Sequence, residues 1–144
     1  MSDVEPALEF QFCSVFKFGR RLFLGHEEGH AGPRLLLFPP EELAPSISAD
    51  DLGARVLGSL MSYRQTGIHI RGPQWEPIQR QLLSHFGVAS VAAFERKKRD
   101  VTVRREVASG EIALFSGKRD PVEVLQCPSE GALGARIRVA LSNV

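Results

Sequence analysis

Five consecutive residues carry the sharpest chemical signal in the chain: His26-Glu27-Glu28-Gly29-His30 fits the pattern H-E-x-x-H. On a helix, two histidines one turn apart bind zinc from a single face, and the glutamate between them activates a metal-bound water for hydrolysis. That chemistry depends on the helix. Gly25, Gly29, Gly32 and Pro33 crowd the match, and glycine and proline are the poorest residues in a helix interior. No third ligand motif follows. The segment "GHEEGHAGP" therefore reads as a glycine-rich loop, the zinc metallopeptidase pattern as a chance match, and no metal or cofactor is assigned. Nucleophile elbows, phosphate-binding glycine loops and metal-spaced cysteine pairs are absent, so no enzyme class gains support. Cys13 and Cys127 are far apart, each in an apolar strand-like stretch, and read as reduced packing residues.

A second kind of chemistry is recognition by charge. From Met1 to Ser62 nine acidic residues face five basic ones, a net −4, whereas the remainder carries thirteen basic and eight acidic residues, a net +5. Three acidic pairs, Glu27/Glu28, Glu41/Glu42 and Asp50/Asp51, fall at expected loops or a helix start, where they suit a basic partner. Solubility and the helix dipole favour acids at the same places. The segment "SYRQTGIHIRGPQWEP" holds the only Tyr and the only Trp, Tyr63 and Trp75, together with Arg64, His69 and Arg71. Interface hot spots favour Tyr, Trp and Arg, though a lone Trp also suits a core. The run "ERKKRD", Glu95 to Asp100, invites an RNA-binding reading, but it lacks interleaved aromatic residues and reads as a solvated turn. An RNA-binding or regulatory interaction module is the alternative function.

The elements that must position these groups follow from periodicity. At 144 residues, with 43% hydrophobic and 24% charged, the chain fits one soluble domain spanning 1–144. Its start lacks the basic and apolar regions of a signal peptide and no apolar run suffices to cross a bilayer, so a cytoplasmic protein is expected. "LEFQFCSVFKF" alternates at period two, with Phe10, Phe12 and Ser14 on one face and Cys13 and Val15 on the other, and predicts a strand hairpinned to "RRLFLG". "RLLLF" predicts a buried strand, and "PPEELAPSIS" an acidic loop. Helices are predicted from Ala49 to Tyr63, on a stripe of Leu52, Val56, Leu57, Leu60 and Met61, and from Gln74 to Phe86, stopping at Gly87. A short helix follows over Ser90–Lys97, then a meander of "DVTVRREV", "GEIALF" and "PVEVLQC", then a helix from Ser129 on Leu133, Ile137, Ala140 and Leu141. The sum is an α+β single domain, an antiparallel-rich mixed sheet packed by two similar amphipathic helices and a smaller one.

The two similar helices echo each other. Leu-Gly-Ala-Arg occurs at Leu52–Arg55 and again at Leu133–Arg136, each four residues after a serine suited to N-capping. Glycine inside a helix costs about 1 kcal/mol relative to alanine. Its presence at Gly53 and Gly134 implies close approach of the helix backbone to another surface, expected to be the sheet.

These landmarks resemble the immunity proteins of bacterial contact-dependent growth inhibition systems. The family pattern is matched in the first helix at Asp51, Leu52, Gly53, Val56, Leu60 and Arg64. In the closing helix it is matched at Glu130, Leu133, Gly134, Ile137, Arg138, Ala140 and Leu141. The helix, turn and strand pair from His85 to Leu114 also look like the family's middle, so the likeness runs from about Arg34 to the end. Gly131 and Ala132 depart from the acidic or polar residues expected there, and the Phe-rich N-terminal hairpin matches nothing in the pattern. The resemblance implies a cytoplasmic, non-catalytic protein that binds and neutralises, one to one, the C-terminal toxin domain of a surface-displayed exoprotein. Such toxins are often nucleases, commonly cleaving transfer RNA. With that partner, the residues expected to meet it are Glu27, Glu28, Glu41, Glu42, Asp50, Asp51, Tyr63, Arg71 and Trp75.

Overall fold

Strict alternation over the first described strand sends one set of side chains to each side of a sheet, and that division organises the whole molecule. The computed structural model describes residues 8–30, 34–66, 72–117 and 120–143. Its elements, in chain order, are β1 (Phe10–Phe18), β2 (Arg21–Gly29), β3 (Arg34–Leu36), β4 (Glu41–Leu43), α1 (Ala49–Ser62), α2 (Gly72–Phe86), α3 (Val91–Lys97), β5 (Lys98–Glu106), β6 (Ile112–Phe115), β7 (Glu123–Leu125) and α4 (Glu130–Ser142). The seven strands form one sheet in the order β3-β2-β1-β5-β6-β7, with β4 also paired to β2. Every strand pair is antiparallel. The α+β class is as expected. The Phe-rich hairpin β1–β2, which no landmark explained, lies in the middle of the sheet.

One face of the sheet presents Cys13 and Val15 from β1, Leu22 and Leu24 from β2, Val101 and Val103 from β5, and Ile112 and Leu114 from β6, all buried. Upon them lie Leu52, Val56 and Leu60 of α1 and Leu133, Ile137 and Leu141 of α4. Met61, placed on the same stripe by spacing, is instead 63% exposed. The i, i+4 steps from Leu52 through Val56 to Leu60 already fill the sheet side, and the next residue turns about 100° away.

The repeated helices are explained by each other rather than by the sheet. A Cβ on Gly53 would be driven into the carbonyl oxygen of Glu130, and one on Gly134 into the carbonyl oxygen of Ala49. Each helix thus rests the start of its first turn on the other's glycine. The same symmetry extends outward: Arg55 Nη1 reaches Glu41 Oε2 on β4 at 2.8 Å, and Arg136 Nε reaches Glu123 Oε2 on β7 at 2.8 Å. Both serines cap as the sequence predicts, Ser48 accepting from the Asp51 N–H and Ser129 from the Ala132 N–H. In each Leu-Gly-Ala-Arg the leucine fills the core, the glycine makes the crossing, and the arginine ties the helix to a short strand beside it.

The opposite face is covered at one end only. Phe16 and Phe23, stacked at 5.1 Å, meet Phe86 of α2 and Phe94 of α3. This is a second, aromatic core. α2 begins two residues before the predicted start and is longer than α1, so it is not the smaller helix expected. Four further expectations change. β2 runs through "HEEG", so that segment is strand and not loop, because pairing with β3 satisfies its backbone. "RLLLF" yields only a three-residue, half-exposed edge strand. The "PPEEL" loop contains β4. Cys13 is buried, but Cys127 is exposed and not a packing residue.

Candidate interaction surfaces

The strand through His26, with His30 one residue past its end, settles the geometry of the H-E-x-x-H match. At about 3.3 Å per residue, two positions four apart on a strand lie roughly 13 Å from each other, too far to share one ion. Among the described residues no cluster of three or more metal-ligating side chains occurs. His26 points to the α1 side, where Nδ1 lies 2.7 Å from Ser59 Oγ and Nε2 lies 3.3 Å from Glu41 Oε1. The order serine, histidine, glutamate is that of a hydrolase triad. Ser59 lies on the buried side of α1 and is 4% exposed, however, so no substrate reaches its oxygen. The group works as a clasp joining β2, β4 and α1, with Arg55 completing it at Glu41.

Outside that clasp, β4, the loop after it and the first turns of α1 enclose an open hollow of about 840 Å³, lined in part by Glu41, Glu42, Ser48, Asp51 and Arg55. Two of the three acidic pairs named from sequence meet here. Glu42 is exposed and bonded to Arg21 through both oxygens at 2.9 Å, which holds its carboxyl below the usual range. Asp50 and Asp51 stand exposed at the α1 N-terminus, where the helix dipole favours them.

The third pair is split by the strand, one residue to each side. Glu28 lies 3.2 Å from Nε2 of the buried His30, off the line a hydrogen bond needs, while His30 Nδ1 meets Thr66 Oγ1 at 3.1 Å. Glu27 falls on the aromatic side, 10% exposed, and accepts from Arg34 Nε at 2.9 Å. Burial raises its pKa, against the pull of Arg34, Ser14 and Lys98. A cavity of about 200 Å³ opens beside it, lined by Ser14, Asp100 and Thr102 among others. On the same face of the sheet guanidinium groups cover aromatic rings: Arg34 lies 4.0 Å from the centre of Phe12, and Arg104 lies 4.5 Å from Phe10 and 5.0 Å from Phe115.

A pH dependence follows with a definite sign. A carboxyl whose folded pKa is raised favours the fold when protonated, so its contribution is full below its ordinary value of 4.5 and is lost as pH rises through the folded value. Glu27→Gln cannot ionise. Its stability relative to wild type should therefore grow as urea unfolding is repeated from pH 4 to pH 7. A relative gain by wild type over that interval would show that the Arg34 ion pair outweighs burial.

Of the remaining residues named from sequence, Tyr63 is 3% exposed, edge-on to Phe12 at 5.5 Å, and packs inside. Trp75 is half-buried on α2, and Arg71 and His69 lie outside the described residues. The eight described candidates thus do not form one surface. Glu41, Glu42 and Asp51 share the hollow, with Asp50 on the same helix turn. The stacked Arg34 and Arg104 were not singled out from sequence; Arg104 stands opposite Phe12 in the β1–β5 register and Arg34 is brought over Phe12 by pairing opposite Gly29, placements that one strand's pattern does not reveal.

The architecture is that of a single antiparallel sheet with a locked helix pair on one face and a partial aromatic cover on the other. Two solved structures share it along nearly their whole length. One is a protein of unknown function from Neisseria meningitidis, with TM-score 0.68, 17% identity, and coverage of 97% of this chain and 99% of that one. The other is a chain of the CdiA-CT/CdiI toxin and immunity complex from Yersinia pseudotuberculosis, with TM-score 0.64, 16% identity, and coverage of 94% and 97%. At these identities the likeness is one of fold, and it includes the Phe-rich hairpin. No protein-family model and no curated protein matches the sequence. No helix among the described residues is long and apolar enough to cross a membrane.

Proposed function

We propose that the protein is an immunity protein that binds the toxin domain of a contact-dependent growth inhibition exoprotein and neutralises it one to one, in the cytoplasm and without catalysing a reaction. The observation that carries this reading is the fold shared, over 94% of this chain, with a chain of a toxin and immunity complex. The sequence landmarks support it independently, because most of the residues that match the immunity family's pattern lie on α1 and α4, the two helices locked at Gly53 and Gly134. The partner is a nuclease, whose phosphate-binding cleft is basic. The hollow at Glu41, Glu42 and Asp51, with Asp50 beside it, is the surface that meets it, since charge complementarity speeds encounter and rejects wrong partners.

The test is calorimetry of the protein with the C-terminal domain of the exoprotein encoded beside it, at two salt concentrations. One-to-one binding that weakens with salt is expected, and Glu42→Lys with Asp51→Lys should weaken it by roughly tenfold or more. Tight binding indifferent to those reversals would move the interface elsewhere. Absence of binding would reject the immunity reading itself.

A further inference from the structure

Around the β1–β2 turn the chain gathers positive charge that nothing described in the molecule answers. Lys17, Arg20, Lys97 and Arg99 line a hollow of about 540 Å³ together with Gly19, Leu22 and Pro45. No carboxylate is in that lining, and among the described residues none of the four cations is within ion-pair distance of an acid. Glu95 and Asp100, which flank Lys97 and Arg99 in sequence, pair with Lys98. Lys17 and Arg99 stand directly opposite in the β1–β5 register. Like charges placed so destabilise a sheet. The four come from three separate places, a strand with its turn, a helix end and a second strand, so this is a convergence and not the solvated face of one element.

We infer that this hollow holds two or more adjacent phosphate groups. Two guanidinium forks and two ammonium groups exceed what a single carboxylate would engage, and guanidinium matches the oxygens of a phosphate two at a time. The lining offers Leu22 and Pro45 but no aromatic ring on which a base would stack. Recognition is therefore of the phosphates alone, whether on a free polyphosphate or along an RNA backbone. This site lies across the Pro45 loop from the acidic hollow and does not rest on the immunity reading.

The experiment uses inorganic tripolyphosphate and a short single-stranded RNA of mixed sequence as probes, titrated into the full chain at low and moderate salt. At least one should bind, with affinity falling steeply as salt rises. The pair Lys17→Glu and Arg99→Glu should lose that binding by tenfold or more, while Arg80→Glu on α2 keeps it; circular dichroism establishes that each variant is folded. Binding of RNA alone would assign the site to a nucleic-acid backbone, and binding of tripolyphosphate with equal or greater affinity would assign it to a free polyphosphate. Failure of both probes at low salt, or equal binding by the charge-reversed protein, overturns the inference. Loss of toxin binding in that variant with neither probe bound would also overturn it, giving the hollow to a protein carboxylate instead.

Discussion

Replacing Gly53 with alanine should destabilise the protein by about 2 kcal/mol or more, although alanine is the better helix former. The gain in helix propensity is about 1 kcal/mol. Against it stands a methyl group directed at a backbone carbonyl, that of Glu130, which cannot rotate away as a side chain would. Overpacking costs about 1–3 kcal/mol and occasionally more, and the top of that range or beyond applies here because the two helices must part to admit a methyl against a backbone carbonyl. Gly134→Ala should behave alike, since its methyl meets the carbonyl of Ala49. Because either substitution separates the same two helices, the double variant should lose clearly less than the sum of the two, a coupling seen only between sites that share a contact. Gly58→Ala, on the exposed side of α1 with open space around it, should instead stabilise by up to about 1 kcal/mol. Urea unfolding of the four proteins checks the set. A neutral Gly53→Ala would mean that the helices do not cross there.

Phe16→Ala should have a larger effect, about 3–5 kcal/mol, as for other buried aromatic truncations. Phe16 is 1% exposed and touches Phe23, Phe86 and Phe94, so it joins both strands of the hairpin to both helices on that face. The loss should also be uneven. α2 and α3 meet the sheet through this aromatic cluster, whereas α1 and α4 are held by the aliphatic core on the other side. Hydrogen exchange of a variant that remains folded should show α2 amides losing protection first, with those of α1 and α4 retained. Equal loss throughout would show that the two cores unfold as one.

The strongest periodic signals in the sequence correspond closely to elements. The alternation through Cys13 and Val15, the serine caps at Ser48 and Ser129, and the stop at Gly87 are local effects, and local physics suffices to read them. β4 and the far half of β2 were missed because Glu-Glu pairs and glycines are poor strand formers whose extended state is imposed by neighbours: Leu22 opposite Leu43, and Glu28 opposite Leu35. The glycines were rightly seen as a close approach, but the surface approached was another helix 81 positions away in the chain for Gly53 and Gly134, which no local pattern encodes. Of the surfaces, the acidic pairs were legible as residues but not as neighbours. Glu27 and Glu28 look alike in the sequence and face opposite sides of a strand, one against Arg34 and one beside His30. The basic hollow was half legible, as Lys97 and Arg99 in the run Glu95 to Asp100, but not as a convergence, since Lys17 and Arg99 become partners only through β1–β5 pairing.

Neutralisation itself is tested by following nuclease activity of the toxin domain in the same samples as the calorimetric titration. Immunity predicts that activity falls in step with occupancy and is abolished at one equivalent of this protein. Full activity retained at saturation, or no binding at all, would contradict it.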